Sequence, residues 1–296
     1  MRIVIIGFRG QLGNDIAESF GSDGDNEVLE ISGPDIAQPG DTTCDITDRD
    51  QLFDTVRPFG PDRIFNCAAF TQVDACENDA DSAFMVNVVG VVNIADLAKE
   101  CESELIHFST DYVFNGKKDE PYTEDDAPDP LNIYGASKLA GELALKRRLQ
   151  KHFLFRVSGL YGVAGSLSKG DNFVETMIRL GKEKGSVRVV ADQRLAPTFT
   201  ADLAEKVIEV ADTGKYGLYH LAASGDCSWF EFAKEIFSLT GMEVDCGPQS
   251  TAESGRKANR PPYSVLSSKK LDELGIKPIR HWREGLADYL KRKGHI

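Results

Sequence analysis

The sequence predicts an α/β protein, a doubly wound parallel sheet with a smaller C-terminal lobe, and three observations lead there. Short β-branched runs alternate with helix-period segments through the first half of the 296-residue chain, the pattern of parallel strands joined by crossover helices. A long polar stretch rich in Pro, Asp and Gly follows the fifth of these runs, at the sheet edge where such folds gather ligands. From about residue 166 the alternation loosens, which marks a second lobe across a cleft.

Each element follows from its own stretch of chain. "RIVIIG" at 2–7 is the first strand, and "GNDIAESF" opens the first helix. "EVLEI" is the second strand, and "TCDITDRDQLFDTV" gives a short third strand feeding a helix with Asp or Thr to cap it. "PDRIFNCAA" is the fourth strand, and "DSAFMVNVVGVVNIADLAKEC" has helical periodicity. The strand "ELIHFST" leads into the polar loop 111–132, then a helix and the strand "FLFRVSGLYG". Beyond these come a helix at "DNFVETMIRLGKEKG", a strand "VRVV", a helix "ADLAEKVIEVAD", a strand "YGLYHLAA" and a final lobe holding "NRPPYSVLSSKKLDELGI".

Composition narrows the function. Hydrophobic residues at 41% and charged residues at 27% are ordinary for a globular protein. A net charge of -13 argues against nucleic acid or an anionic membrane as a partner, so any anionic substrate must meet a local basic site. The N-terminal apolar run is too short for a signal segment and no run of 18 apolar residues occurs, so the expected location is cytoplasmic. Cys44, Cys67, Cys76, Cys101, Cys227 and Cys246 lack a C-x-x-C and read as reduced thiols. The five histidines have no ligand spacing, so no metal site is expected.

"GFRGQLG" sets Gly7, Gly10 and Gly13 between the first strand and the first helix. Backbone N–H groups there can approach a pyrophosphate closely, which makes the fold Rossmann-type and the ligand a dinucleotide. Glu30, read as the end of the second strand, can accept hydrogen bonds from a ribose and favours NADH, whereas Arg9 in the loop can meet the 2'-phosphate of NADPH. The cofactor is therefore NADPH or NADH. Asp45 either meets the adenine or caps the following helix. The expected division is 1–165 with about 198–222 for the dinucleotide-binding domain, and about 166–197 with 223–296 for the substrate lobe.

Tyr134 and Lys138 in "YGASKLAGE" stand one helical turn apart on a common face. A neighbouring ammonium lowers a phenol pKa, so the pair reads as a proton donor. Thr110, at the end of a strand, can hydrogen-bond a developing oxyanion.

With these residues in view, the chain resembles an extended short-chain dehydrogenase/reductase, and within that group the dTDP-4-dehydrorhamnose reductase family. The resemblance rests on "GFRGQLG", "NCAAFTQVDACE", "STDYVFNG", "YGASKLAGE", "RVSGLYG", "DNFVETM", "DQRLAPT" and "RPPYSVL", in that order along nearly the whole chain. It implies that Gly10, Gln11 and Leu12 contact the pyrophosphate and Glu30 the ribose region. It further implies that Asp45 and Ile46 flank the adenine and that Ala69, Phe70 and Thr71 lie along the cofactor. Thr110, Tyr134 and Lys138 take the catalytic positions, and Asp111 lies beside the sugar of a nucleotide-sugar substrate. Gly159 stands where many members carry an aromatic residue against the sugar, so room is expected there. Some members form metal-bridged dimers through acidic side chains; a homodimer is possible here, and Asp15 reads as a first-turn helix charge. The related dehydratases carry Asp-Glu after the catalytic Thr, where this chain has Asp111 and Tyr112. The resemblance extends to sugar-nucleotide epimerases and to the non-catalytic β subunit of methionine adenosyltransferase.

Overall fold

The computed structural model describes residues 1–21, 26–165 and 170–296. Six strands are labelled in chain order: β1 (Arg2–Ile6), β2 (Glu27–Ser32), β3 (Thr42–Thr43), β4 (Arg63–Asn66), β5 (Glu104–Thr110) and β6 (His152–Val157). With the edge strand Gly217–Leu221 they form one parallel sheet, ordered from that edge strand through β6, β5, β4, β1, β2 and β3. The chain reverses its direction of travel across the sheet between β1 and β4. Outside the C-terminal ends of those two strands a crevice opens, the place where such sheets bind ligands.

Both faces of the sheet are covered. On one, Leu12, Ile16 and Phe20 of helix α1 (Gln11–Gly21) share a core with Leu203 and Val207 of the helix Thr200–Ala211. The same apolar cluster continues into the C-terminal part through Phe232, Trp282, Leu286 and Tyr289. On the other face, Leu52, Phe53 and Val56 of helix α2 (Arg49–Val56) pack with Val91, Ile94 and Leu97. The stretch Ala80–Glu100 has the length and mean hydropathy of a membrane span, although polar residues interrupt it. In this fold its second half is packed in the core, with Ile94, Ala95, Leu97 and Ala98 fully buried, whereas Phe84, Met85 and Val89 in its first half stay exposed.

Several elements depart from the sequence reading. The helix expected at 81–101 widens into a π-helical turn at Met85–Gly90, and such turns frequently sit at functional sites. The strand read at 153–162 stops at Val157 and resumes as Leu160–Tyr161, which pairs with Thr198–Phe199 instead of the main sheet. The strand at Ser186–Val190 pairs in parallel with Asp245–Gln249, outside that sheet. The loop 111–132 is largely a brace. Its Tyr122 stacks on Phe114 and pairs through its backbone with Val265 and Ser267, and Lys118 bridges to Asp126. Arg260 pairs with Asp74 at 2.8 Å, which docks the segment before Pro261 onto the helix Val73–Cys76.

The helix Ile133–Arg148 starts cleanly because the Asn132 side chain accepts from Gly135 N at 2.7 Å. At Gly141 a Cβ would lie 2.2 Å from the carbonyl oxygen of Asn87, so only glycine lets this helix close on the π turn. One turn after Lys138, the fully buried Glu142 accepts from Ser109 Oγ at 2.6 Å and from Arg156 Nε and Nη2 at 2.9 and 2.7 Å.

Asp15 is not a first-turn charge. It lies in the second turn of α1, 5% exposed, hydrogen-bonded to Thr200 with its Oδ2 unpartnered. Burial pushes its carboxyl up to about 6. The folded state thus holds this proton more tightly than the unfolded chain, and the site costs stability increasingly as pH rises through about 6. Asp15→Asn should raise stability at pH 8 by roughly 1–2 kcal/mol, with the gain shrinking toward pH 5. Thermal melts of both proteins across that range check this; a gain independent of pH would exclude ionisation as its cause.

Candidate active site

A cavity of about 850 Å³ occupies the crevice between the ends of β1 and β4. The glycine loop forms one wall, and the three glycines differ in what they do. Gly7 has φ +82° and a Cβ there would sit 2.8 Å from Ala68 N. At Gly13 a Cβ would lie 2.3 Å from the Gly7 carbonyl oxygen. These two let the loop fold onto β4 and α1. A Cβ at Gly10 would approach only that same oxygen, at 3.3 Å, and Gly10 borders the cavity. It is the glycine at which a ligand can come against bare backbone. Leu12 and Gln11 also line the cavity, and Gln11 is fixed by accepting from Gly162 N at 2.8 Å.

The opposite wall carries Ala69, Phe70 and Thr71. This loop is held by a residue that the sequence reading missed. Asn87 in the π turn accepts from Phe70 N at 3.0 Å and donates to Phe70 O at 3.1 Å, as a neighbouring strand would, and also donates to Ser137 Oγ at 3.0 Å. An apolar helix pattern interrupted by asparagines, Asn87 and Asn93, was the available signal. Asp45 and Ile46 line the same cavity. The cap of α2 is Asp48, so Asp45 is free of that task; its Oδ1 accepts from the amide and hydroxyl of Thr47, each at 2.8 Å.

Two expected positions need correction. Glu30 does not end β2, which runs two residues further to Ser32; its side chain is exposed and it does not border the cavity. The acid lining the cavity past that strand is Asp35. Gly159 opens no room. It has φ +57°, and a Cβ would meet Leu195 Cδ1 at 2.8 Å and Pro197 Cα at 3.1 Å. The segment 195–197 fills the space that a missing aromatic was expected to leave.

Tyr134 and Lys138 line the inner end of the cavity. Thr110, 5% exposed, lies just behind them and is the side-chain hydrogen-bond partner of Tyr134. Thr110 Oγ1 is 3.1 Å from Asp111 Oδ1, and its oxygen accepts from Tyr112 N at 3.2 Å. Asp111 is buried among hydroxyls, accepting from Ser158 at 2.9 Å and Ser264 at 2.5 Å, and burial pushes it up to about 6. Ser158 and Ser264 lie within the quoted motifs "RVSGLYG" and "RPPYSVL", but nothing in the sequence pointed to their joint grip on Asp111. Among the described residues no group of His, Cys, Asp and Glu is arranged to hold a metal ion.

The electrostatics differ from the expected lysine effect. Burial raises the Tyr134 phenol, with Asp111 adding to the rise and only the Thr110 hydrogen bond opposing it. Lys138, 2% exposed, is lowered by burial to about 8, with the Glu142 carboxylate opposing that fall. A shared helix face did not bring the ammonium to bear on the phenol. The phenol is therefore protonated near neutrality, as a proton donor must be.

Gly159→Ala should lower unfolding stability by about 1–2 kcal/mol, because left-handed backbone penalises any side chain and Leu195 must move. Denaturant titration checks this, and an unchanged midpoint would show that the turn accepts a Cβ.

Residues 1–294 match the RmlD substrate binding domain family. The chain is 39% identical to the spore coat polysaccharide biosynthesis protein SpsK of Bacillus subtilis, over 99% of this chain and 98% of that protein. It is 38% identical to a dTDP-4-dehydrorhamnose reductase of Mycolicibacterium smegmatis, over 97% of this chain and 84% of that one. It superposes with a TM-score of 0.89 and 40% identity on the Bacillus anthracis dTDP-4-dehydrorhamnose reductase solved in complex with NADP, covering 98% of this chain and 99% of that one. With a glycine loop, a tyrosine–lysine pair and a threonine gathered at one sheet crevice, and these likenesses over nearly its whole length, the chain belongs to the dTDP-4-dehydrorhamnose reductase family.

Proposed function

We propose that the protein reduces the 4-keto group of a nucleotide-linked 6-deoxyhexose with NADPH or NADH, converting dTDP-4-dehydro-L-rhamnose to dTDP-L-rhamnose for cell-surface polysaccharide. The observation that carries this reading is the protonated Tyr134, backed by Thr110 and flanked by Lys138, at the inner end of a cavity floored by the glycine loop. The residues present suit a dinucleotide, since Gly10 leaves backbone bare beside the cavity and Gly7 and Gly13 permit the tight turn. When bound, the reduced nicotinamide supplies a hydride.

Addition of hydride to a ketone develops negative charge on its oxygen, which needs a hydrogen bond and then a proton. Tyr134 supplies the proton, and burial keeps that proton on the phenol until it is required. Thr110 steadies the phenol, and the Asp111 carboxylate, gripped by Ser158 and Ser264, fixes the direction of the Thr110 hydroxyl. Lys138 holds the ribose next to the nicotinamide. The cofactor unit is taken as 1–165 with about 198–222 and the sugar-side lobe as about 166–197 with 223–296. Pairing of Gly217–Leu221 with β6 supports this division, and the boundary near 166 lies outside the described residues. The acidic balance of the chain supports an enzyme without a nucleic-acid partner, and the short N-terminal apolar run supports a cytoplasmic one.

Following nicotinamide absorbance with dTDP-4-dehydrorhamnose and either reduced cofactor tests the activity. No oxidation across a panel of 4-keto sugar nucleotides, together with a stable protein partner, would replace it with a regulatory role. Tyr134→Phe should lower kcat by about 100-fold or more while cofactor affinity changes by less than about threefold; retention of over about a tenth of kcat would remove Tyr134 from the reaction.

Because kcat/KM reports ionisations of the free enzyme, its value for the reduced cofactor should fall as pH rises through about 8, where Lys138 loses its charge. Lys138→Arg should carry that limb beyond about pH 10, since a guanidinium does not titrate there. A limb that stays in place in the arginine variant would assign it to another group.

A further inference from the structure

Arg9 sits in the glycine loop, where the sequence offers it to a 2'-phosphate, but the structure shows its guanidinium already engaged. Its Nε and Nη2 donate to Asp41 Oδ2 and Oδ1 at 2.7 and 2.5 Å, a two-point grip. The Asp41 side chain is 6% exposed and accepts two further hydrogen bonds, from Ser32 Oγ at 3.0 Å and Gln38 N at 2.9 Å. Those donors belong to the end of β2 and to the loop after it, so the carboxylate is built into the backbone turn and does not follow Arg9. The guanidinium also lies over the Phe8 ring, 5.0 Å from its centroid.

Neither Arg9 nor Asp41 borders the cavity. The loop between Ser32 and Gln38 does, through Gly33, Pro34, Asp35 and Ile36. What the protein presents at this end is thus an acid, Asp35, which can accept from ribose hydroxyls and repels a phosphate.

We propose that Asp41 is a specificity-determining residue for the cofactor: by clamping Arg9 away from the cavity it withholds the one loop cation from a 2'-phosphate and keeps NADH competitive with NADPH. This deepens the reductase reading and rests on it. A 2'-phosphate can recruit Arg9 only by displacing a carboxylate that two other donors hold in place. The grip persists across the working pH range, because Arg9 keeps the Asp41 carboxyl well below the usual range.

The test is equilibrium binding of NADPH and NADH, without sugar substrate, followed by the fluorescence of the reduced nicotinamide. Wild type, Asp41→Asn, Arg9→Gln and the double variant are compared by the ratio of the two dissociation constants. Asp41→Asn should shift the ratio toward NADPH by about tenfold or more. Arg9→Gln should move it by less than about threefold, and the double variant should return to near the wild-type ratio. An unchanged ratio in an Asp41→Asn protein that melts as wild type does would overturn the proposal. So would a tenfold loss of NADPH preference in Arg9→Gln, which would place Arg9 on the phosphate already; that variant decides even if Asp41→Asn folds poorly. If wild type binds neither cofactor, the reductase reading falls and this inference with it. If both bind and no ratio moves, only this inference falls.

Discussion

The Glu142 carboxylate lies fully buried beneath the helix that carries Tyr134 and Lys138, and the strands at the active end of the sheet converge on it. Ser109 reaches it from β5 and Arg156 from β6, while the other arm of Arg156 stands 3.5 Å from His220 on the edge strand and its guanidinium faces the Phe114 ring. An ion pair so far from water is poor evidence of extra stability, but losing either partner leaves a charge with nowhere to go, at a cost of about 3–5 kcal/mol. Its service is to register. Tyr134, Lys138 and Glu142 recur every four residues, so fixing the third against two strands fixes the rotation of the helix and aims the first two at the crevice. The missing side chain at Gly141 completes the arrangement by letting the helix close on Asn87.

Local spacing was what the sequence made legible. The glycine loop, the turn-spaced tyrosine and lysine and the alternation of strand and helix depend on neighbours within a few residues, and each stands where the pattern put it. Failures came where a position is decided by distant chain. Asp111 is gripped by residues 47 and 153 positions away, and Asn87 bonds a loop 17 residues before it, so no short window contains either relation. Gly159 looked like a vacancy because the chain that fills it, 195–197, lies far along the sequence. Glu30 was misplaced by a boundary error of two residues, enough to change which acid faces the cavity.

The same distinction explains the tyrosine. Spacing correctly set the phenol and ammonium on one face, but ionisation follows the surroundings, and burial with a nearby carboxylate governs the phenol. For reduction this polarity is useful. A donor must arrive loaded, and a phenol that ionised readily in the resting enzyme would arrive empty.

The grip on Asp111 also ties the chemistry to the mechanics of the cleft. Ser158 follows β6, but Ser264 comes from the far end of the chain, in the segment braced by Tyr122 and docked through Arg260. A hydrogen bond of 2.5 Å is gone once its partners part by about 1 Å or slightly more. Any loosening of that segment therefore strips a donor from the carboxylate that orients Thr110, and Thr110 in turn steadies the phenol. The Tyr134 phenol is thus like the bolt of a door that engages only in its frame: aligned while the segment carrying Ser264 is seated, and slackened wherever that segment comes loose.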